Sequence, residues 1–214
     1  MTAWLVRIIP NPRNATARRD LNEAVRLHQR VMMLAPDGLG DRARQQTGML
    51  YRVDDTQAGT QILVQTRVKP EVSRFPDAFG RLDVRELTPL LDTLRPGVTV
   101  HYRLAANTTK RLGRTAGEKA GKLVALHGVA AEEWWATRAP GCGLSLRTLT
   151  AHVQPGVRGT HRAGHQIQHA VTRFDGVAVV TDPDRLRAAV LAGVGRGKSH
   201  GCGLLTLALH RAEP

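Results

Sequence analysis

An α+β fold made of two successive β-α-β-β-α-β units is what this sequence predicts, and three observations carry that expectation. Short β-rich runs alternate with helical stretches along the whole chain. The same order of elements occurs twice, although no letters repeat. The step Arg95-Pro96-Gly97 separates the two passes. That order is the ferredoxin-like one. The chain therefore reads as an N-terminal unit over residues 1–95 and a C-terminal unit over residues 96–214.

Each element has a local reason. Trp4-Leu5-Val6-Arg7-Ile8-Ile9 is β-rich and stops at Pro10-Asn11-Pro12. A helix is expected from about Arg18 to Leu34, ended by Pro36-Asp37-Gly38. Met49–Val53 and Gln61–Val68 read as strands joined by the turn-forming Asp54–Gly59. A short helix near Val72–Phe79 and a strand over Leu82–Leu91 complete the first unit. In the second, Val98–Ala105 is a strand. Gly121–Thr137 reads as a helix, with Leu123, Leu126, Val129, Ala130 and Trp134 at helical spacing. Leu144–Val153 and Ile167–Thr181 are expected strands, the latter folding back at Asp175-Gly176. Asp182-Pro183 is an N-cap followed by proline at the first helical position, so a helix over 184–192 and a strand over 204–209 finish the chain.

Charge narrows the partners. The 214 residues include 31 Lys and Arg against 18 Asp and Glu, a net charge of +13. An excess of that size is an electrostatic footprint for a polyanion, most simply nucleic acid. Hydrophobic content of 42% supports real cores. No apolar run approaches membrane-spanning length, and the first residues lack a signal-peptide layout. The chain is expected to be cytoplasmic, away from membranes and monomeric when free. Cys142 and Cys202, each flanked by glycines, read as small packing residues.

The segment from Gly193 to Leu205 is the most informative. Five of its first eleven residues are glycine: Gly193, Gly195, Gly197, Gly201 and Gly203. Glycines permit positive φ and close approach of backbone N–H groups to phosphate, while Arg196 and Lys198 add charge. A nucleotide loop does not fit. The Walker pattern places its first glycine at Ala192, and this loop leaves a helix for a strand rather than the reverse.

With the hairpin-like stretch from Phe174 to Pro183, this glycine segment resembles the ending of the CasE family, the CRISPR repeat-RNA endoribonucleases of the type I-E Cascade complex. Arg18-Arg19-Asp20-Leu21 followed by Leu27-His28, then Val64-Gln65-Thr66, then Tyr102–Asn107 ahead of Lys110-Arg111, agree in the same order. The resemblance implies two tandem ferredoxin-like domains. It also implies metal-independent cleavage of CRISPR precursor RNA at the base of the repeat stem-loop, by 2′-OH attack. The product would carry a 2′,3′-cyclic phosphate and remain bound. Partners would be the repeat RNA and other Cascade subunits, with no cofactor. A non-cleaving stem-loop-binding scaffold is the alternative.

His28 is the candidate catalytic residue. By periodicity alone it falls within the apolar arc of Leu21, Ala24, Val31, Met32 and Ala35, as a core histidine would. The resemblance instead implies that it faces the cleft between the domains. Imidazole can take the 2′-OH proton or protonate the leaving 5′-oxygen, so His28 is open to either role. Some relatives carry a tyrosine at the position of Val25. Tyr51, Lys198 and His200 are the candidates for the missing second group. A metal route through His161, His165 and His169, spaced by four, is disfavoured because glycines and β-rich sequence argue against a helix there. For RNA binding the candidates are Arg18, Arg19, Arg103, Lys110, Arg111 and, in the basic segment Pro155–His165, Arg158, His161 and Arg162. The glycine loop adds Gly195, Arg196, Gly197, Lys198, Gly201 and Gly203. Some relatives have arginine where Ala105 stands. Aromatic residues make up only 4%, so recognition of a stem by shape and phosphate is expected rather than base stacking.

Overall fold

Each unit forms its own antiparallel sheet in the computed structural model, which describes residues 2–160 and 166–210. In the first, β1 (Trp4–Pro10) leads through α1 (Ala15–Leu21), α2 (Ala24–Met32) and a short α3 (Ala43–Thr47) to β2 (Leu50–Thr56) and β3 (Gly59–Thr66). Two 3-10 turns then precede β4 (Gly80–Glu86). The sheet order is β2-β3-β1-β4, with Val6 of β1 opposite Val64 on one side and Val84 on the other. One face of the sheet carries Val6, Ile8, Ile62 and Val64 into a core closed by Leu27, Val31 and Leu34.

The second unit repeats the plan. β5 (Thr99–Ala106) is followed by a two-stranded excursion, β6 (Thr109–Arg111) with β7 (Leu123–Ala125), and then by α5 (Val129–Arg138). Next come β8 (Leu144–Leu146), β9 (Thr150–Thr160), β10 (Gln166–Val180), α6 (Pro183–Ala192) and β11 (Leu205–Leu209). The order β11-β5-β10-β8, with β9 also on β10, reproduces that of the first sheet, its last strand lying beside its first. Trp134 and Trp135 each pack 6.4 Å from Phe174, so the tryptophan pair lies in the core.

Several elements depart from the sequence reading. The expected helix over 18–34 is two. Asn14 caps α1, and Glu23, in extended conformation, interrupts the run and caps α2. The helix near 72–79 is two 3-10 turns, Val72–Arg74 and Asp77–Phe79. The strand over 82–91 stops at Glu86, because Pro89 opens a short helix α4 (Thr88–Asp92). Leu91 and Leu94 bury themselves in the core of the second unit. Residues 121–137 are not one helix: Leu123–Ala125 is a strand, and α5 starts only after Gly128 at φ +54°. The expected strand over 144–153 is divided between β8 and β9. Asp175-Gly176 is no turn either; β10 runs straight through it. Gly176 is small because a Cβ there would collide with the Thr148 carbonyl and lie 2.7 Å from the Tyr102 hydroxyl.

The two sheets are locked together by a buried arginine. Arg52 on β2 makes a paired contact with Asp54 at 2.7 and 2.9 Å. Its remaining N–H groups donate to the carbonyls of Arg103 and Leu204, both at 3.1 Å, and to Thr206 Oγ1 at 3.0 Å. Gln65 adds a bond to the Val190 carbonyl at 2.8 Å. No helix among the described residues is long and apolar enough to cross a membrane.

Candidate functional site

The site forms where α2 of the first unit meets the glycine loop of the second. Glu23 sets the start of α2, its carboxylate accepting from the N–H groups of Val25 at 3.2 Å and Arg26 at 2.7 Å. The same carboxylate accepts from the N–H of Thr160 at 3.2 Å, which ties the end of β9 to the helix. Ala24, Leu27 and Val31 face the core, and His28 stands half-buried at the edge of that arc. Burial, and secondarily the Arg44 guanidinium, hold its pKa below the usual 6.5. Its imidazole is therefore neutral near neutral pH, the form that accepts a proton.

Across from it lies the loop. Asp182 caps α6 by accepting from Asp184 and Arg185, as the sequence implies, and the chain then passes five glycines into β11. All five have positive φ, between +74° and +91°. The space left by their missing side chains is nevertheless filled by protein. A Cβ on Gly203 would lie 2.8 Å from the Val194 carbonyl, and one on Gly201 3.2 Å from the Tyr51 ring. The N–H groups of Val194, His200, Cys202 and Gly203 all bond to carbonyls. At Gly201 and Gly203 the missing side chains allow a tight turn to pack on β2 and on itself.

That packing gives the three candidate second groups different partners. Tyr51 is buried and donates its hydroxyl proton to the Ser199 carbonyl at 3.2 Å, and burial pushes its pKa up. Lys198 donates to the Ala192 carbonyl at 2.8 Å, at the end of α6. Both brace the loop. His200 alone turns its ring to His28, with centroids 6.4 Å apart and planes at 69°. Behind His200, its Nδ1 lies 3.1 Å from His169 Nε2, and His169 Nδ1 lies 2.9 Å from the amide nitrogen of Asn107. His169 and Asn107 escaped the sequence reading as partners of the loop. They sit 31 and 93 residues before His200, and only strand pairing brings them together.

The positive groups divide by location. A cleft of about 860 Å³ beside the loop is bordered by Arg158, Arg196, Lys198 and His200. A second, of about 530 Å³, lies between α1, β2 and β9, with Arg18, Arg158 and His200 on its walls. Arg19 is exposed and pairs loosely with the buried Asp20 at 3.5 Å. Lys110 and Arg111 are exposed on the β6–β7 excursion. Arg103 is placed differently: it pairs with Asp175 and Asp54 in the cavity between the two sheets, so its charge is already partnered. Gly195 and Gly197 pack against Trp134 and Cys202. His161, Arg162 and His165 lie outside the described residues. His169 is on a strand, not a helix.

The fold has known counterparts. The family described as CRISPR associated protein matches residues 3–208. The CRISPR-associated endoribonuclease Cse3 of Thermus thermophilus is 30% identical over 220 residues, covering 96% of this chain and 99% of that protein. The structure of Thermus thermophilus Cse3 bound to an RNA representing a pre-cleavage complex matches with a TM-score of 0.79 at 28% identity, over 97% of this chain and 100% of that one. A chain of a CRISPR RNA-guided surveillance complex in a pre-nicking state is 39% identical, with a TM-score of 0.73 over 97% of this chain and 100% of that one. The chain belongs to the CasE family of CRISPR-associated proteins.

Proposed function

We propose that this protein is a metal-independent endoribonuclease that cuts CRISPR precursor RNA at the base of the repeat stem-loop. The observation that carries this reading is the neutral, half-buried imidazole of His28, presented where the two units meet and bordered by basic clefts. A neutral imidazole can draw the proton from a ribose 2′-OH. The 2′-oxygen then attacks the adjacent phosphorus and the 5′-oxygen leaves, giving a 2′,3′-cyclic phosphate. Arg158, Arg196 and Lys198 meet the charge that develops on the phosphorane oxygens. Residues 1–95 thus supply the base and residues 96–214 most of the charge. The cleaved repeat stays bound, and the partners are the repeat RNA and the other subunits of a surveillance complex. RNA-bound Cse3 and the surveillance-complex relative support both partner assignments.

A second reading is a scaffold that holds the stem-loop without cutting it. Val25, standing where some relatives have tyrosine, is the observation in its favour. Incubating the protein with end-labelled repeat RNA in EDTA separates the two. Cleavage with a cyclic-phosphate product supports the first, binding without cleavage the second, and activity restored only by added metal overturns metal independence.

A further inference from the structure

The ribbon of β9 and β10 runs on past the cover of its own sheet, and the face left open there carries the larger cleft. β5 pairs with β10 only as far as Ala106 opposite Thr172. On the covered face, Phe174 packs against Trp134 and Trp135 of α5. Thr172 is still buried, its Oγ1 3.4 Å from that of Thr108. Ala170 and Gln168 continue the same face, since alternate residues of a strand share a side, and both border the cleft of about 860 Å³. Its other walls are the β6–β7 excursion with the residues just after it, which supply Thr109, Leu123 and His127, and the glycine loop, which supplies Arg196.

A bulge shapes the ribbon side of this cleft. Val153 lies opposite Thr172 and Arg158 opposite Gln168, so five steps along β9 match four along β10. Side chains five apart on a regular strand point to opposite faces. The extra residue falls at Pro155-Gly156, between the pairs Gln154–Val171 and Val157–His169, and a bulge is where a strand tolerates proline. It turns Val153 and Arg158 to one face, and both border the cleft. Val153 is 73% exposed and Leu123 43%, so two apolar side chains stand outside the cores on the walls of a single cleft.

That chemistry selects an occupant. The described residues lining the cleft include no Asp or Glu, whereas the exposed Arg158 and Arg196 both border it, which suits a phosphate. Thr109 and Gln168 offer both donors and acceptors, which suits the edge of a heterocycle. Leu123, Val153 and the ring of His127 suit its flat faces. The volume is that of a small-ligand site, about 300–1,000 Å³.

Resting on the endoribonuclease reading above, we propose that this cleft receives the base of the nucleotide immediately 3′ of the cut, the one that departs on its 5′-oxygen. The assignment to that side follows from where His28 stands. His28 is not among the residues bordering the cleft, but His200 borders it and lies 6.4 Å from the His28 ring. The nucleotide that gives up its 2′-OH proton lies at His28. Its neighbour across the phosphorus therefore points past the loop and into the cleft, with the phosphate they share beside Arg196. Only an unpaired nucleotide can turn its base into such a cleft, and a cut at the edge of a stem leaves this one unpaired. The cleft thus adds a single base contact to recognition that otherwise uses shape and phosphate.

The test compares ordinary repeat RNA with RNA that is abasic at the first nucleotide 3′ of the cut, its sugar and phosphate intact. Single-turnover cleavage at sub-saturating protein should be slower on the abasic RNA by about 5- to 100-fold, the range of one lost base-stacking contact. An abasic site several nucleotides farther 3′ should leave the rate unchanged. Leu123→Ala combined with Val153→Ala, at two exposed positions, should slow ordinary RNA by at least about threefold. It should not slow the abasic RNA further, because residues that act on one contact do not add. Equal rates on ordinary and abasic RNA, which need no variant to fold, would overturn the assignment. So would an equal loss from the distant abasic site, an ordinary rate for the double variant on ordinary RNA, or an equal slowing of both RNAs by a folded double variant. Failure of the unsubstituted protein to cut any of these RNAs is a different result: it sinks the endoribonuclease reading and takes this assignment with it.

Discussion

The two ferredoxin-like units share strand order but load their connections differently. In the first, the crossover after β1 is broken into α1 and α2 to present His28, while the crossover before β4 shrinks to two 3-10 turns. In the second, the crossover before the last strand survives as α6 and ends in the glycine loop, while β9 and β10 lengthen into a ribbon of 11 and 15 residues. The same topology thus yields one half organised around a single imidazole and one organised around loop geometry and exposed charge. The shared plan supplies a scaffold, and function resides in where each copy departs from it.

The largest expected effect tests the first half. His28→Ala should reduce single-turnover cleavage by about 10²–10⁴-fold with RNA affinity changed by only a few-fold. RNA with 2′-deoxyribose at the cut site should resist the unsubstituted protein. Cleavage at wild-type rate would make His28 a core histidine and move the catalytic base to another residue. Because the His28 pKa is lowered, its neutral form persists below pH 6.5, so the acid fall in rate should begin below that value. An acid limb centred above it would place the titration on another group.

Next comes the contact on which both halves depend. Arg52→Ala removes the paired contact with buried Asp54 and takes this donor from the Arg103 and Leu204 carbonyls and from Thr206 Oγ1, and should cost about 3–5 kcal/mol of stability, read by urea unfolding. Two separated unfolding transitions in this variant would show that each unit stands alone. An unchanged midpoint would show that the halves do not rely on this arginine.

Gly203→Val should cost about 1–3 kcal/mol, because it forces positive φ on a β-branched residue and drives a side chain into the Val194 carbonyl. The loss should appear in the melting temperature. A variant that melts normally but binds RNA poorly would support the reading of the loop as a phosphate cradle.

The smallest effect belongs to the ribbon. Arg158→Ala should lower the slope of log affinity against log salt by about 0.7–0.9, the signature of one lost phosphate contact. An unchanged slope would mean that Arg158 faces solvent in the complex and that the ribbon is not where the second half meets RNA.

What the sequence revealed follows the range of the interactions. The helix–glycine loop–strand ending was legible because Asp182, Pro183 and the glycines act on their own neighbours. The same locality misled at Asp175-Gly176, where glycine answers a close approach by Thr148 rather than a turn. It misled again at Glu23, whose side chain, not its helix propensity, caps a new helix just after α1 has ended at Asn22. His28 was visible as a candidate, and His200 stood only as one of three. Tyr51 and Lys198 are held by hydrogen bonds to Ser199 and Ala192 that no spacing rule encodes. Arg103 looked like any other basic residue, because its partners Asp54 and Asp175 are 49 and 72 residues away in sequence.

Glu23 has one further consequence. Its carboxylate serves the first turn of α2 and, at the same time, the backbone of Thr160 at the end of β9. The ribbon and the helix that carries His28 therefore share a latch. Lifting the ribbon to admit a stem takes one donor from Glu23 and loosens the clasp beside the helix start, four to five residues before the imidazole. Seating the ribbon closes it again. If the ribbon seats the stem and His28 is the base, as proposed, an RNA that fits the ribbon poorly should also meet a poorly aimed His28.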